Sequence, residues 1–276
     1  MSNTKPKRID EVDKYYKPAA TVGLVSTLLF WSIVFLSLLM PFSTSLVAIL
    51  RQDILQITFI LLTIVHFILS QVLRFYLVPR AERMRRKQLL SDSFGAPLSY
   101  DQTSLYYNNN YSPSVQRLGA NTMENALFSK EIAAAMLVKK RIIILGYFIV
   151  WIFAFALRHN NLEILIWITQ LVFSGEILTQ WIKLEVLHFR HERTFEQLYT
   201  HFLHSIGEKS PKAIANVLDA FVEYESAKSA AGVLLSTRIF QKINPVLSKK
   251  WNQIRQELKM DFEQGAPPDR YFAGAP

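Results

Sequence analysis

The chain alternates between long apolar stretches and densely polar ones, on a scale of tens of residues rather than of single turns. Ala19–Met40 carries no charged residue over 22 positions, enough for a helix to cross a hydrocarbon core of ~30 Å. Ile54–Leu73 forms a second block, closed by Arg74; Ile142–Leu157 is a third, of sixteen residues; Leu162–Ile182 is a fourth and contains Glu163 and Glu176. A short third span is accommodated by local thinning of the bilayer or by flanking residues. The first block exceeds the ~7–15 apolar residues of a signal peptide, so it reads as an uncleaved span. The pattern predicts an all-α integral membrane protein with four transmembrane helices arranged as two hairpins. Hairpin one (19–77) holds spans 19–40 and 54–77; hairpin two (142–182) holds spans 142–157 and 162–182. A cytoplasmic arm (1–18) precedes them and an insert (78–141) separates them. A helical cytoplasmic region (183–262) and a disordered tail (263–276) follow.

Local signals place the remaining elements. Asp53 with Gln56, Asn160 with Glu163, and Asn121 with Glu124 each have capping-box spacing, which predicts helix starts there. Pro79 predicts a kink or a boundary near the membrane surface. Gly95, Pro97, Pro113 and Gly119 punctuate a loop from Ser91 to Gly119, because such residues interrupt a helical period. Ser210-Pro211 predicts an N-cap with proline in the first turn. Ile214, Val217, Leu218, Phe221 and Val222 then form an apolar stripe that needs a partner surface, and Asn244-Pro245 is expected to start the last helix.

Charge sets the orientation. Of 31 Lys and Arg, five lie in the arm, ten in 80–141 and thirteen after Ile182, whereas loops 41–53 and 158–161 hold one each. Basic residues beside spans remain cytoplasmic, so both termini and the insert are expected to face inward, in an inner or plasma membrane. Cysteine is absent, which removes disulfides and thiolate chemistry from consideration.

Polar groups within the spans concentrate on two of them. Gln56, Thr63, His66, Ser70 and Arg74 of span two share a helical face, as do Thr169, Glu176, Gln180 and Lys183 of span four. Ionisable groups at such depth should face the bundle interior or water. Thr63, His66, Ser70, Glu176 and Gln180 are therefore candidates for a polar seam. The seam either holds helices together, lines a pore built from several protomers, or relays protons.

The insert contains "SLYYNNNYSP", residues 104–113, beside Arg85, Arg86, Lys87 and Arg117. Aromatics stack on bases, guanidinium groups fork to phosphates and amides read base edges. Tyr106, Tyr107, Asn108, Asn109, Asn110 and Arg117 are accordingly candidate ligand-binding residues. The competing account is a packed loop with asparagine turns and tyrosine plugs. The runs "LLSDSFG", "YYNNN" and "RLGANTMENALFSKEI", set between two hairpins, resemble the SMODS-associated four-transmembrane effector family. The likeness covers the four-span layout and roughly residues 80–140. It implies a pore-forming effector of bacterial antiphage defence, acting as a homo-oligomer in the lipid bilayer and responding to a cyclic oligonucleotide, with no DNA or RNA partner. Two rival roles are a small channel or transporter without nucleotide input, and a scaffold recruiting a soluble partner through the 214–222 stripe.

Enzymatic signatures are missing. The nine glycines form no phosphate loop, and no nucleophile elbow, zinc-protease or kinase pattern occurs. His188 with His191, and His201 with His204, stand on a stretch expected to be a solvated amphipathic helix rather than a metal site. No enzyme, cofactor or metal is expected.

Overall fold

The structure, a computed structural model, describes residues 9–39, 49–101, 103–104, 106–107, 109, 111–156, 176–204 and 210–260. Helices dominate it. The chain divides into two compact units, Val12–Met84 and Met1–Glu11 with Arg85–Pro276.

The first unit is a helical hairpin. α1 (Asp13–Leu39) begins ahead of the predicted edge at Ala19 and keeps Pro18 inside it, which costs one backbone hydrogen bond near the helix start. α2 (Ile49–Val72) places Asp53 and Gln56 inside the helix rather than at a cap. It passes through one π turn, Leu73–Leu77, into α3 (Val78–Phe94). The Val78 N–H donates to Leu73 O, five residues back. That wider turn receives Pro79, whose ring would otherwise crowd the carbonyl four residues earlier; of the kink or boundary expected there, the helix shows no boundary and continues to Phe94. α1 and α2 run antiparallel, with Ser26 level with His66 and Ser70, and Gly23 beside Leu73. Leu24, Leu28 and Phe35 of α1, and Ile57 and Phe67 of α2, are each more than half exposed. Asp13–Ser37 and Asp53–Phe94 are, among the described residues, helices long and apolar enough to cross a membrane. Lipid is the solvent that suits such a surface, since water penalises contiguous apolar area of this extent.

The second unit is a helical body around α4 (Val115–Ala156), 42 residues without a break. Ser114 caps it: its Oγ accepts from Arg117 N at 3.2 Å. The helix thus starts ahead of the predicted Asn121 cap, and the insert's loop shrinks to residues 95–114. Antiparallel to α4 runs α5 (Glu176–His204), level with it through Lys140 to Gln180 and Lys130 to Glu192. α6 (Pro211–Ala231) starts at the expected Ser210-Pro211, with Ser210 Oγ accepting from Ala213 N. It ends at Gly232, where a φ of 57° suits a residue without a side chain. α7 (Thr237–Glu257) is capped by Ser236 and carries Pro245 within it, so the last helix starts earlier than Asn244-Pro245 predicts. One two-residue antiparallel pair, β1 (Ile9–Asp10) with β2 (Thr103–Ser104), ties the arm to the loop.

Two apolar clusters hold this body together. Tyr111, Met123, Leu127, Leu198, Phe202, Val217 and Trp251 fill one. Ala133, Leu137, Leu184, Leu187, Ala227 and Ala231 fill the other. The 214–222 stripe is split between surfaces: Val217 is buried and Phe221 half-buried, while Ile214, Leu218 and Val222 are exposed. Beyond Arg141, α4 bears Ile142, Leu145, Phe148 and Phe153, each more than half exposed. The fourth predicted span lies mostly outside the described residues, as do the loop 158–161, the Asn160–Glu163 box and the tail 263–276.

Candidate functional site

The insert's polar side chains meet where the end of α3 packs on the start of α4. Asp92 and Ser93 lie in the last turn of α3, and Arg117 and Asn121 lie one turn apart on α4. Arg117 Nη2 donates to Asp92 Oδ1 at 2.9 Å, and Arg117 Nη1 to Tyr111 O at 3.3 Å. Asn121 Nδ2 donates to Asp92 Oδ2 at 2.8 Å and to Ser93 Oγ at 3.0 Å. Asn109 Nδ2 donates to Asn121 Oδ1 at 2.6 Å. The carboxylate of Asp92 thereby receives both groups from α4, each oxygen taking one. Burial makes this cluster demanding, because a desolvated charge without a partner is costly. Two of its atoms, Asn109 Oδ1 and Arg117 Nε, are buried with no hydrogen-bond partner among the described residues.

The tyrosines take distinct places. Tyr107 accepts from Asn125 Nδ2 at 3.0 Å, and burial pushes its phenol well above the usual range, with the neighbouring Tyr106 adding to the rise. Tyr106 meets Tyr107 edge-on at 4.8 Å and lies under the Arg85 guanidinium at 4.6 Å. Tyr111 is buried in the apolar core against Phe202, 6.4 Å between centroids. Of the six predicted ligand-binding residues, Tyr106, Tyr107, Asn109 and Arg117 are thus brought to one junction, on networks reaching Arg85, Asp92, Asn121 and Asn125. Asn108 and Asn110 lie outside the described residues.

No family model, curated protein or solved structure matches this chain. The arrangement of its own side chains therefore carries the functional argument.

Sequence reasoning missed Asp92 as a hub and assigned Asn121 to a cap. The signal available was a carboxylate in the run "LLSDSFG"; its partners lie 25 and 29 positions later, beyond any local spacing rule. Asp10 was missed as well. It reaches Arg85 across 75 positions.

The predicted intramembrane seam divides. His66 Nδ1 contacts Ser26 Oγ at 3.2 Å and Ser26 O at 3.1 Å, and Ser70 Oγ lies 3.2 Å from Ser26 Oγ. Both groups are used within hairpin one. Thr63 Oγ1 donates to Phe59 O at 2.7 Å on its own helix, and Gln180 Oε1 accepts from Lys140 Nζ at 2.8 Å. Glu176 is the first residue of α5 and its side chain lies outside the described residues.

The histidine stretch is not the solvated helix that the sequence suggests. His191 is fully buried and His201 nearly so, and His188 Nδ1 contacts Lys130 O at 3.1 Å. His201 Nδ1 and Asn216 Nδ2 are 3.2 Å apart. His191 packs on Tyr224 at 4.8 Å with neither ring nitrogen partnered among the described residues, and burial lowers its pKa to about 3. Among the described residues no group of three His, Cys, Asp or Glu is placed to hold a metal ion.

Proposed function

We propose that the chain is a membrane effector of bacterial antiphage defence, which permeabilises the inner membrane as an oligomer when it senses a cyclic oligonucleotide. The observation that carries this reading is the continuity of α4. Its first turns hold Arg117, Asn121 and Asn125, which engage the insert, and its last fifteen residues, 142–156, bear exposed apolar side chains. At 1.5 Å per residue, about 36 Å of unbroken helix separates Asn121 from Leu145. A helix of this kind transmits a shift at one end to the other, and a ligand that prefers one arrangement of the cluster biases the whole element. The resemblance of "LLSDSFG", "YYNNN" and "RLGANTMENALFSKEI" to the four-transmembrane effector family supplies the class of signal and of outcome. Four spans with both termini cytoplasmic, assembled from several copies, complete the reading, since four helices enclose too little space for a wide pore alone.

The test is dye release from liposomes of bacterial lipid carrying the purified protein, challenged with a panel of cyclic di- and trinucleotides. One member of the panel should trigger release at micromolar concentration or below. Arg117→Ala and Asn121→Ala should abolish the response if they remain folded by thermal unfolding. Release that is absent with every member, or equal with and without them, would overturn the reading.

A further inference from the structure

We infer that Arg85 and Tyr106 form a recognition site for a phosphate group, and that the chain's own Asp10 carboxylate occupies it in this structure. The Arg85 guanidinium meets Asp10 as a fork, Nη1 to Oδ1 and Nη2 to Oδ2, both at 3.0 Å. The Tyr106 ring covers the guanidinium at 4.6 Å from its centroid. Stacking fixes the plane of an arginine and leaves its edge for a planar or tetrahedral oxyanion. Carboxylate and phosphate present the same pair of oxygens to such a fork, so either satisfies it. The side chains of Arg85 and Asp10 are only 15% and 20% exposed, so the contact is partly desolvated.

The surroundings hold the receptor half more firmly than the occupant. Gln88 Nε2 donates to Thr103 Oγ1 at 2.6 Å and Leu98 N to Ser91 Oγ at 2.9 Å, pinning the loop to α3. Tyr107, edge-on to Tyr106, is held by Asn125 of α4. The arm, by contrast, joins the loop through two strand residues, Ile9 and Asp10, opposite Ser104 and Thr103. A two-stranded pair of that length has no independent stability in water. Asp10 is therefore a tethered competitor, present at the millimolar effective concentration typical of a short tether. A phosphate ester that reaches Arg85 must displace it, which releases the arm three residues ahead of α1. The inference deepens the functional reading above by naming how a signal at the loop would be passed on. The binding event itself does not depend on pore formation.

The experiment measures inorganic pyrophosphate binding by calorimetry, at constant ionic strength, to the full chain in detergent micelles. Asp10→Asn should bind at least about tenfold more tightly than wild type, and Arg85→Gln should lose detectable binding. A second variant removes dependence on the folding of Arg85→Gln. Ile9→Cys/Ser104→Cys, in a chain with no other cysteine, pairs two residues opposite one another in the strand register. Oxidised, it should bind at least about tenfold more weakly than when reduced. Bicelles containing phosphatidic acid that displace pyrophosphate assign the site to a lipid headgroup; bicelles without effect assign it to a soluble phosphate ester. Equal affinities for wild type and Asp10→Asn, unchanged binding in the oxidised variant, or no binding to either protein up to roughly 10 mM would overturn the proposal. Pyrophosphate binding with this pattern, but no nucleotide-triggered dye release, would sink the effector reading and leave the phosphate site standing.

Discussion

Acidification from neutral pH to pH 5 tests the packing of the helical body through one residue, His191. Its ring is fully buried between α5 and α6 and lies tilted against Tyr224, whose hydroxyl is 3.2 Å from Ser129 of α4. Burial is the largest cause of its depressed pKa of about 3, followed by Lys228 of α6 and by Arg190 and His188 of α5. The folded state therefore keeps the ring neutral, while the unfolded chain binds a proton below about 6.5. Stability through this group is complete above that value and falls as pH drops towards about 3. By pH 5 the unfolded chain has gained about 1.5 units of protonation free energy that the folded chain lacks, about 2 kcal/mol at about 1.36 kcal/mol per unit. In a body of this size that lowers the melting temperature by about 4–8 °C. Hydrogen bonds from Arg190 and Arg141 hold the carboxylates of Glu223 and Glu185 below the ordinary glutamate value, so these ion pairs contribute little between pH 6.5 and 5. His191→Phe keeps a ring against Tyr224 and removes the titration. The assay is thermal unfolding of the detergent-solubilised full chain at pH 7.5, 6.5, 5.5 and 5.0. The variant should be at least as stable as wild type at pH 7.5 and show a shallower decline by about 2 kcal/mol at pH 5. Parallel declines would refute the reasoning, because they would mean that the ring is solvated or shielded in the fold.

Further outcomes follow from the same packing. Arg117→Ala should cost about 2–4 kcal/mol of stability, because it strands a partly buried carboxylate; adding Asp92→Ala should restore part of that loss in a double-mutant cycle, and strictly additive losses would contradict the pairing. At Gly119 an added Cβ would lie 3.1 Å from Phe202 Cζ and 3.1 Å from Val217 Cγ1. Gly119→Val should therefore lower stability by about 1–3 kcal/mol, while Gly119→Ala should stay within about 1 kcal/mol of wild type, since its better helix propensity offsets the squeeze; thermal unfolding decides both. A single cysteine at Lys249, exposed on α7, should resist an impermeant thiol reagent in intact cells and react after lysis; labelling in intact cells would refute the cytoplasmic assignment of the C-terminal region.

What the sequence determined by itself is the partition of the chain between lipid-compatible and polar segments, and the local helix signals that need no distant partner. Ser210-Pro211 is one such signal: the hydroxyl reaches an N–H three residues away, and proline's missing N–H would be unpaired there in any case. The junction at Asp92 is different. Asn121 and Glu124 satisfy a capping spacing, yet Ser114 begins the helix, because α4 gains more by burying Leu118 and Ala120 than it loses by starting early. That choice carries Asn121 into the interior, where its amide serves Asp92 instead of a helix end. In the same way the 214–222 stripe and the histidines had fixed positions along their helices but no fixed surroundings. Helical spacing says which side chains share a face, and only the neighbouring helix decides whether that face meets water, lipid or a core. Contacts such as Arg85 with Asp10 cross 75 positions of chain. They form because folding brings the arm against the middle of α3, and spacing along one strand of sequence holds no record of that approach.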